Sequence, residues 1–597
     1  MIIIKGKEFI KLYLIRKKMN NMDTYENKNN VFIEILKDSG VFLLVLLSTI
    51  VLLAAGLLLI GVSISRFHLI LSIILSTTFF GVLNRKKRIL SVLSSIILSL
   101  FVFCLSICIN NSYLDLSWDG NTYHKDAVGL LKNQWNPIYE NYIDAYNRIG
   151  NRNMDYIGTE LEGVHGFWQT YYAKGTWFIA STIYAATNNI ESGKCFNLLI
   201  SYISFVLILF ILYKANRGII FSTLIAFLVS INPIIVPQMF TYYNDGFLAN
   251  LLILLVALMI IFNLEDKRIN RTELYVCVCC TLLLIINTKF TGFGYAGIFC
   301  LFYYLIYIYN KYKQKQFKTI IKPTIIFSIT TIFAVCIVGF SPYCTNIVQK
   351  HQLFYPLQGK DKVDIVSYNQ PNQFNNKSTI YKAAKSILSK TDNINQSSEK
   401  NPQLKIPFTV SQEELDILYI PDLRISGFGI LFSGILIISG LIYCVIILEM
   451  IRKKTIGTSL VIMPIIITIF LMLLISESWW ARYTPYLYLI PILTLVLITF
   501  QKKKVKNILF IVLALPMFIN MSYYFKYNTL VNYEASKEIN KSLELAVTER
   551  EITVIDIHDS FLGTLYNLDD KGIKFSVVTE EKQNSKKLYK WIRYVKG

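Results

Sequence analysis

Apolar stretches of about 16 to 23 residues recur from residue 41 to residue 522, broken only by short polar or basic segments and two long loops. At 1.5 Å of rise per residue, each is long enough, or nearly so, to cross the ~30 Å hydrocarbon layer of a bilayer as a helix. A chain of 597 residues could otherwise hold several soluble domains. With 54% hydrophobic and 17% charged residues, it is expected instead to be an all-α polytopic integral membrane protein.

The net charge of +21 would suggest nucleic acid in a soluble protein. Here the Lys and Arg cluster between apolar runs, in "NRKKR" at 84, "KANR" at 214, "EDKRINR" at 265, "NKYKQKQFK" at 310, "IRKKT" at 451 and "QKKKVKN" at 501. Basic clusters in short loops mark the cytoplasmic side and meet anionic lipid headgroups, so no nucleic-acid partner is expected. The register that puts every cluster inside has about thirteen crossings, near 41–62, 67–83, 89–109, 194–213, 218–238, 247–263, 274–290, 293–309, 320–340, 428–449, 457–475, 484–500 and 507–522. The 274–309 hairpin barely has room for two.

This threading divides the chain into a cytoplasmic N-terminal segment 1–40, two transmembrane helices in 41–88, and a transmembrane core 89–522 with outer loops 110–193 and 341–427. A C-terminal tail 523–597 lies outside. The tail holds the alternating stretch "EREITVIDIHDS" and then "GIKFSVVTEE", which suits a small α/β or α+β segment. The N-terminus is basic and polar, lacks a cleavable signal and is expected to stay in the cytoplasm. The stretch from residue 369 reads as a mobile outer loop around one short amphipathic helix. Usage rich in Ile, Asn and Lys hints at a bacterial genome, and hence at a bacterial cytoplasmic membrane. Most cysteines lie inside apolar runs as small hydrophobes; Cys195 and Cys344 fall near the outer surface, where a disulfide is open to them.

Chemistry-bearing residues gather where the backbone leaves the bilayer on the outer side. "LDLSWDGNTYHKD" at 114 supplies Asp115, Trp118, Asp119 and His124, and "FTYYNDGF" supplies Asp245. An ionisable group at a membrane boundary is a functional candidate. Gly120 permits a tight turn that projects Asp119, and the competing reading for both Asp119 and Asp245 is a helix cap. Two acidic turns at outer helix starts can share one cavity, around a divalent metal or around an acceptor hydroxyl. Arg482 in "WWARY", Lys174 in "YYAKGTW" and Lys289 in "NTKFTGF" are cations that can meet a phosphate or snorkel to the interface. His351 in "QKHQLFYPL" and His124 are proton carriers or plain loop residues. Trp135, Trp168, Trp177, Trp479 and Trp480 lie on or near the outer side, where rings stack on sugars or anchor at the interface.

Taken with their positions, "SWDGNTYH", "NQWNPIYE", "KGTWFIASTIY", "YYNDGFLANLL", "GFSPYCTN", "LFYPLQG" and "WWARYTPY" give a pattern that resembles the GT-C superfamily of membrane glycosyltransferases, in particular its bacterial cell-envelope members. That superfamily includes protein O-mannosyltransferases, lipid A aminoarabinose transferase and the oligosaccharyltransferase catalytic subunit. The resemblance spans roughly 89 to 500. It implies an essential Asp near the start of the first outer loop, matched at Asp119, and a second acidic motif in the next outer turn, matched at Asp245. It implies transfer of a sugar from a polyprenyl-phosphate carrier to a glycan, lipid or protein acceptor on the outer face. For that reaction Asp119 is expected to act as base, Asp245 to orient the acceptor or a water, and Arg482, assisted by Lys174 or Lys289, to meet the phosphate. Two features depart from the family: two additional helices precede the core, and "ND" replaces the paired acids of metal-using members, which leaves metal use open. A polymerase of lipid-linked repeat units and a lipid or glycan transporter are the alternatives.

Overall fold

The computed structural model describes residues 23–149, 166–360, 362–364, 367–455, 457–549, 551–555, 562–578, 582–589 and 592–596. Residues 1–22 of the expected N-terminal segment and 150–165 of the first long loop lie outside this set, as do residues 550 and 556–560 of the alternating tail stretch. Among the described residues, ten helices are long and apolar enough to cross a membrane. Shorter apolar helices, Ile219–Ser230, Thr458–Leu474 and Pro485–Ile498, occupy the other three expected places. The chain is a predominantly helical polytopic membrane protein.

Two of the short helices have local causes. Asn232 and Pro233 follow Ser230, and Asn232 Oδ1 accepts from the backbone N–H groups of Ile234 and Ile235, which diverts the chain into a new turn. Pro485 opens the last of the three, where its missing N–H costs nothing. In the crowded hairpin, Arg271–Thr288 and Phe290–Lys313 are separated by Lys289 alone, in extended backbone. One residue is enough to reverse the chain.

Two expected boundaries are corrected. The first helix does not begin near 41: it runs Asp23–Leu59 and carries Lys37 and Asp38 inside it. These charges are held by partners distant in sequence, with Lys37 Nζ 2.6 Å from both Asp38 and Glu273, and Lys87 Nζ 2.6 Å from Asp38. Lys214 joins the same end through Glu34 at 2.8 Å. At the other boundary, the helix expected to stop at 522 continues as Lys503–Val547. Its 45 residues span about 67 Å, roughly twice the ~30 Å hydrocarbon layer of a bilayer.

After that helix the tail forms a four-stranded sheet and one helix, Leu562–Asp570. The strands are β1 (Ile552–Ile555), β2 (Phe575–Val578), β3 (Lys586–Lys587) and β4 (Arg593–Lys596), in the order β2-β1-β4-β3, with β1 parallel to β2 and antiparallel to β4. This unit is fastened to the first long loop. Asn567 accepts from Lys125 Nζ at 2.9 Å and donates to Glu191 at 2.9 Å, while the Tyr589 hydroxyl donates to the carbonyl of Asp115. Gly129 lies so close to Tyr566 that a Cβ there would fall 2.1 Å from the ring.

The stretch from 369 is packed rather than loose. Phe374 and Ile394 join Ile425, Trp479, Trp480 and Tyr483 in a second apolar cluster apart from the main core. The amphipathic helix forms at Thr379–Ile387, capped by Ser378.

Candidate active site

At the end of the bundle opposite the Lys37–Asp38–Glu273 cluster, a cavity of about 770 Å³ opens between the two long loops and the C-terminal helix. Asp119 faces it. The chain leaves the helix Ile89–Asn111 and crosses residues 113–117, which are anchored by Asp115, whose carboxylate accepts from the Ser117 backbone at 2.8 Å, the Ser117 hydroxyl at 2.6 Å and the Tyr242 backbone at 2.7 Å. Asp115, fully buried, thus braces this segment and is not among the residues that line the cavity. Asp119 is in right-handed helical backbone just before the widened turn Gly120–His124, and its side chain makes no cap. Both sequence readings of "DG", tight turn and cap, are therefore corrected. The carboxylate, 18% exposed, accepts from Arg482 Nη2 at 3.0 Å and from the Tyr123 hydroxyl at 3.2 Å.

Gly120 has a different purpose from the one its neighbour suggested. A Cβ there would lie 2.1 Å from Asp115 Oδ2 and 2.4 Å from Ser117 Oγ. Gly120→Ala is therefore expected to cost about 1–3 kcal/mol of stability by overpacking, read as a lowered melting midpoint of the purified protein. Gly246 repeats the pattern after Asp245, with a hypothetical Cβ 2.7 Å from Ile235 Cα.

Asp245 opens the helix Asp245–Leu264 but does not cap it; it is 1% exposed. Its Oδ1 is 2.5 Å from Lys289 Nζ and its Oδ2 is 3.2 Å from Arg482 Nε. Lys289 reaches this point because it is the single residue joining two crossings. Arg482, in the short turn Ala481–Tyr483, contacts a third acid, with Nη1 3.3 Å from Asp422 Oδ2. One guanidinium therefore bridges carboxylates from residues 119, 245 and 422, and it also lies 5.0 Å from the ring centres of both Tyr243 and Trp480. Burial pushes the Asp422 carboxyl above its usual range, while Arg482 and Arg424 pull it down.

Asp422 was not among the residues singled out from sequence. Its signal is an acid and a base two apart in "YIPDLRISGFG", where the second long loop closes, and Arg424 lines the same cavity.

Other expected site residues are placed elsewhere. Lys174 does not line the cavity: its Nζ donates to the carbonyls of Thr170 at 2.9 Å and Tyr172 at 3.0 Å, and burial lowers it to about 7. A lysine folded back onto its own segment is not placed to take a phosphate. His351 ends the helix Thr345–Lys350 in left-handed backbone, exposed and away from the cavity lining. His124 is buried, and its Nδ1 accepts from Trp177 Nε1 at 2.7 Å. Trp135, Trp177 and Trp479 are buried in packing, whereas Trp168, Trp480 and the 53%-exposed Trp118 line the cavity. Cys195 and Cys344 are both free thiols.

Burial pushes the His124 imidazole down to about 3, against the upward pull of Asp119 and Asp245. An unfolded histidine takes its proton near 6.5, so the His124 contribution to stability is complete above that pH and is lost as pH falls toward 3. His124→Gln is expected to flatten the fall in melting midpoint between about pH 6.5 and 5 relative to wild type.

For a divalent metal, the three carboxylates are the natural donors, but Arg482 already stands between them. Among the described residues, no group of three or more His, Cys, Asp or Glu side chains is arranged to hold an ion. No protein-family model, curated protein or solved structure matches the chain.

Proposed function

We propose that the protein transfers a sugar from a polyprenyl-phosphate donor to a cell-envelope acceptor on the outer face of a bacterial cytoplasmic membrane, with its N-terminus inside and its C-terminus outside. The observation that carries this reading is the convergence of Asp119, Asp245 and Asp422 on Arg482 beside a cavity at the ends of membrane-crossing helices. A lipid-linked headgroup is presented at that level, and the cavity has room for a sugar and an acceptor group.

The residues divide the work. Asp119 lines the cavity, and its hydrogen bond from Arg482 aims the carboxylate. It accepts the proton of the acceptor hydroxyl as that oxygen attacks the anomeric carbon. The bond from the anomeric carbon to the phosphate oxygen breaks, the electron pair leaves with the prenyl phosphate, and a single in-line displacement inverts the anomeric centre. Asp245, buried below the cavity and salt-bridged to Lys289, positions Arg482. Trp118, Trp168 and Trp480 offer ring faces to the sugar.

The test is mass spectrometry of envelope glycans from wild type and from a strain deleted for this chain. Loss of one sugar substituent is the expected result, and loss of a long polymer would identify a polymerase. An unchanged envelope, glycan and lipid-linked pools alike, would overturn the reading.

A further inference from the structure

Four cations line the cavity, and they are not equivalent. Arg482 is matched by three carboxylates, Lys289 by Asp245 at 2.5 Å, and Lys587 at the rim by Glu538 at 3.4 Å. Among the described residues, Arg424 has no carboxylate within ion-pair distance. Its Nη1 and Nη2 donate to the side-chain oxygens of Asn393 and Asn369, each at 2.8 Å, and its Nε is buried without a hydrogen-bond partner among the described residues. Two neutral amides orient this guanidinium, and the nearest charge acting on it is Asp422, which it pulls on from beyond ion-pair distance.

Its surroundings favour an anion. The guanidinium carbon lies 5.4 Å from the ring centre of Trp480, the same indole that lies 5.0 Å from Arg482. Arg424 thus sits beside the Arg482–Asp119 pair within one cavity, with a ring shared between the two guanidiniums. Arg482 is a poor receptor for a further negative charge, because a phosphate near it must also approach Asp119, Asp245 and Asp422. At Arg424 the hydrogen-bond partners are neutral, and a planar fork of donors matches the oxygens of a phosphate.

We infer that Arg424, held by Asn369 and Asn393, is the phosphate-binding group of the cavity, and that under the proposed transfer reaction it receives the phosphate of the prenyl carrier. Arg482 then serves Asp119, and the roles first assigned by sequence to Arg482 and Lys289 pass to Arg424. The substrate chemistry is a phosphate monoester or diester, whether from a lipid carrier or from a soluble phosphate.

The experiment measures binding to the full-length chain in lipid nanodiscs, using farnesyl phosphate, farnesol and inorganic phosphate as probes. Wild type and Arg424→Ala are compared, with Arg424→Lys keeping the charge but not the fork. Farnesyl phosphate is expected to bind wild type and to bind Arg424→Ala at least tenfold more weakly, with Arg424→Lys between them and farnesol unaffected by either substitution. If inorganic phosphate binds as tightly as farnesyl phosphate and is equally lost in Arg424→Ala, the phosphate site stands and the lipid carrier of the proposed reaction falls. Equal farnesyl phosphate binding by wild type and both variants overturns Arg424 and leaves the transfer reaction standing. Failure of wild type to bind either phosphate overturns both. Melting midpoints accompany each variant, and Arg424→Lys carries the comparison if Arg424→Ala does not fold.

Discussion

Asp119→Asn is expected to lower sugar transfer by about 10²–10⁴-fold while leaving the melting midpoint within a few degrees of wild type. The amide keeps an oxygen for Tyr123 and Arg482, at 3.2 and 3.0 Å in the native protein, so the local geometry has no reason to collapse. What disappears is the ability to take a proton. The measurement is transfer from a synthetic prenyl-phosphate sugar by purified protein, paired with complementation of a deletion strain at matched membrane levels. Wild-type transfer by a folded, inserted Asp119→Asn protein would remove Asp119 from the chemistry.

Arg482→Ala should act in the opposite way, through stability first. It strips the shared cation from Asp119, Asp245 and Asp422, leaving Lys289 paired with Asp245 and Arg424 acting on Asp422 only from beyond ion-pair distance. Removing one partner from a buried ion-pair network costs about 3–5 kcal/mol, because the remaining charges stay desolvated. Since burial already raises the Asp422 carboxyl above its usual range, that group is the first expected to protonate. The deficit relative to wild type should therefore shrink as pH falls toward the carboxylate range, and Asp422→Asn should restore part of it at neutral pH. A deficit independent of pH, measured by thermal melting in detergent, would mean that the three acids do not repel each other in the absence of the arginine.

The spans were legible because a bilayer imposes a minimum apolar length that few other folds require. The start of the first helix was not legible. Lys37 and Asp38 look like the end of an aqueous segment until Glu273 and Lys87 arrive from far along the chain, and no local pattern announces those partners. The candidate site was half legible: Asp245 and Lys289 stand at the ends of crossings and Asp119 and Arg482 in the short segments that follow or precede one, so topology brought them to one level. Asp422 and Arg424 sit instead at the end of an 87-residue loop from 341 to 427, whose return path is set by Phe374 and Ile394 packing on the tryptophan pair. Lys174 shows the limit from the other direction. It stands at a helix boundary among aromatics, as Lys289 does, yet its side chain turns back to its own carbonyls, a choice that hydropathy does not encode.

The hydroxyl of Tyr589 anchors the backbone of Asp115, 474 residues earlier and four positions before Asp119. At roughly 5–20 residues per second of synthesis, that distance corresponds to about 24–95 s between the appearance of the loop and the arrival of its anchor. During that interval Lys125 and Glu191 have each other but lack Asn567, and the segment bearing Asp119 lacks its fastening. The setting of Asp119 would then be completed late in translation, so a chain stalled or cleaved before residue 567 would carry the Asp119 segment without the contacts of Asn567 and Tyr589.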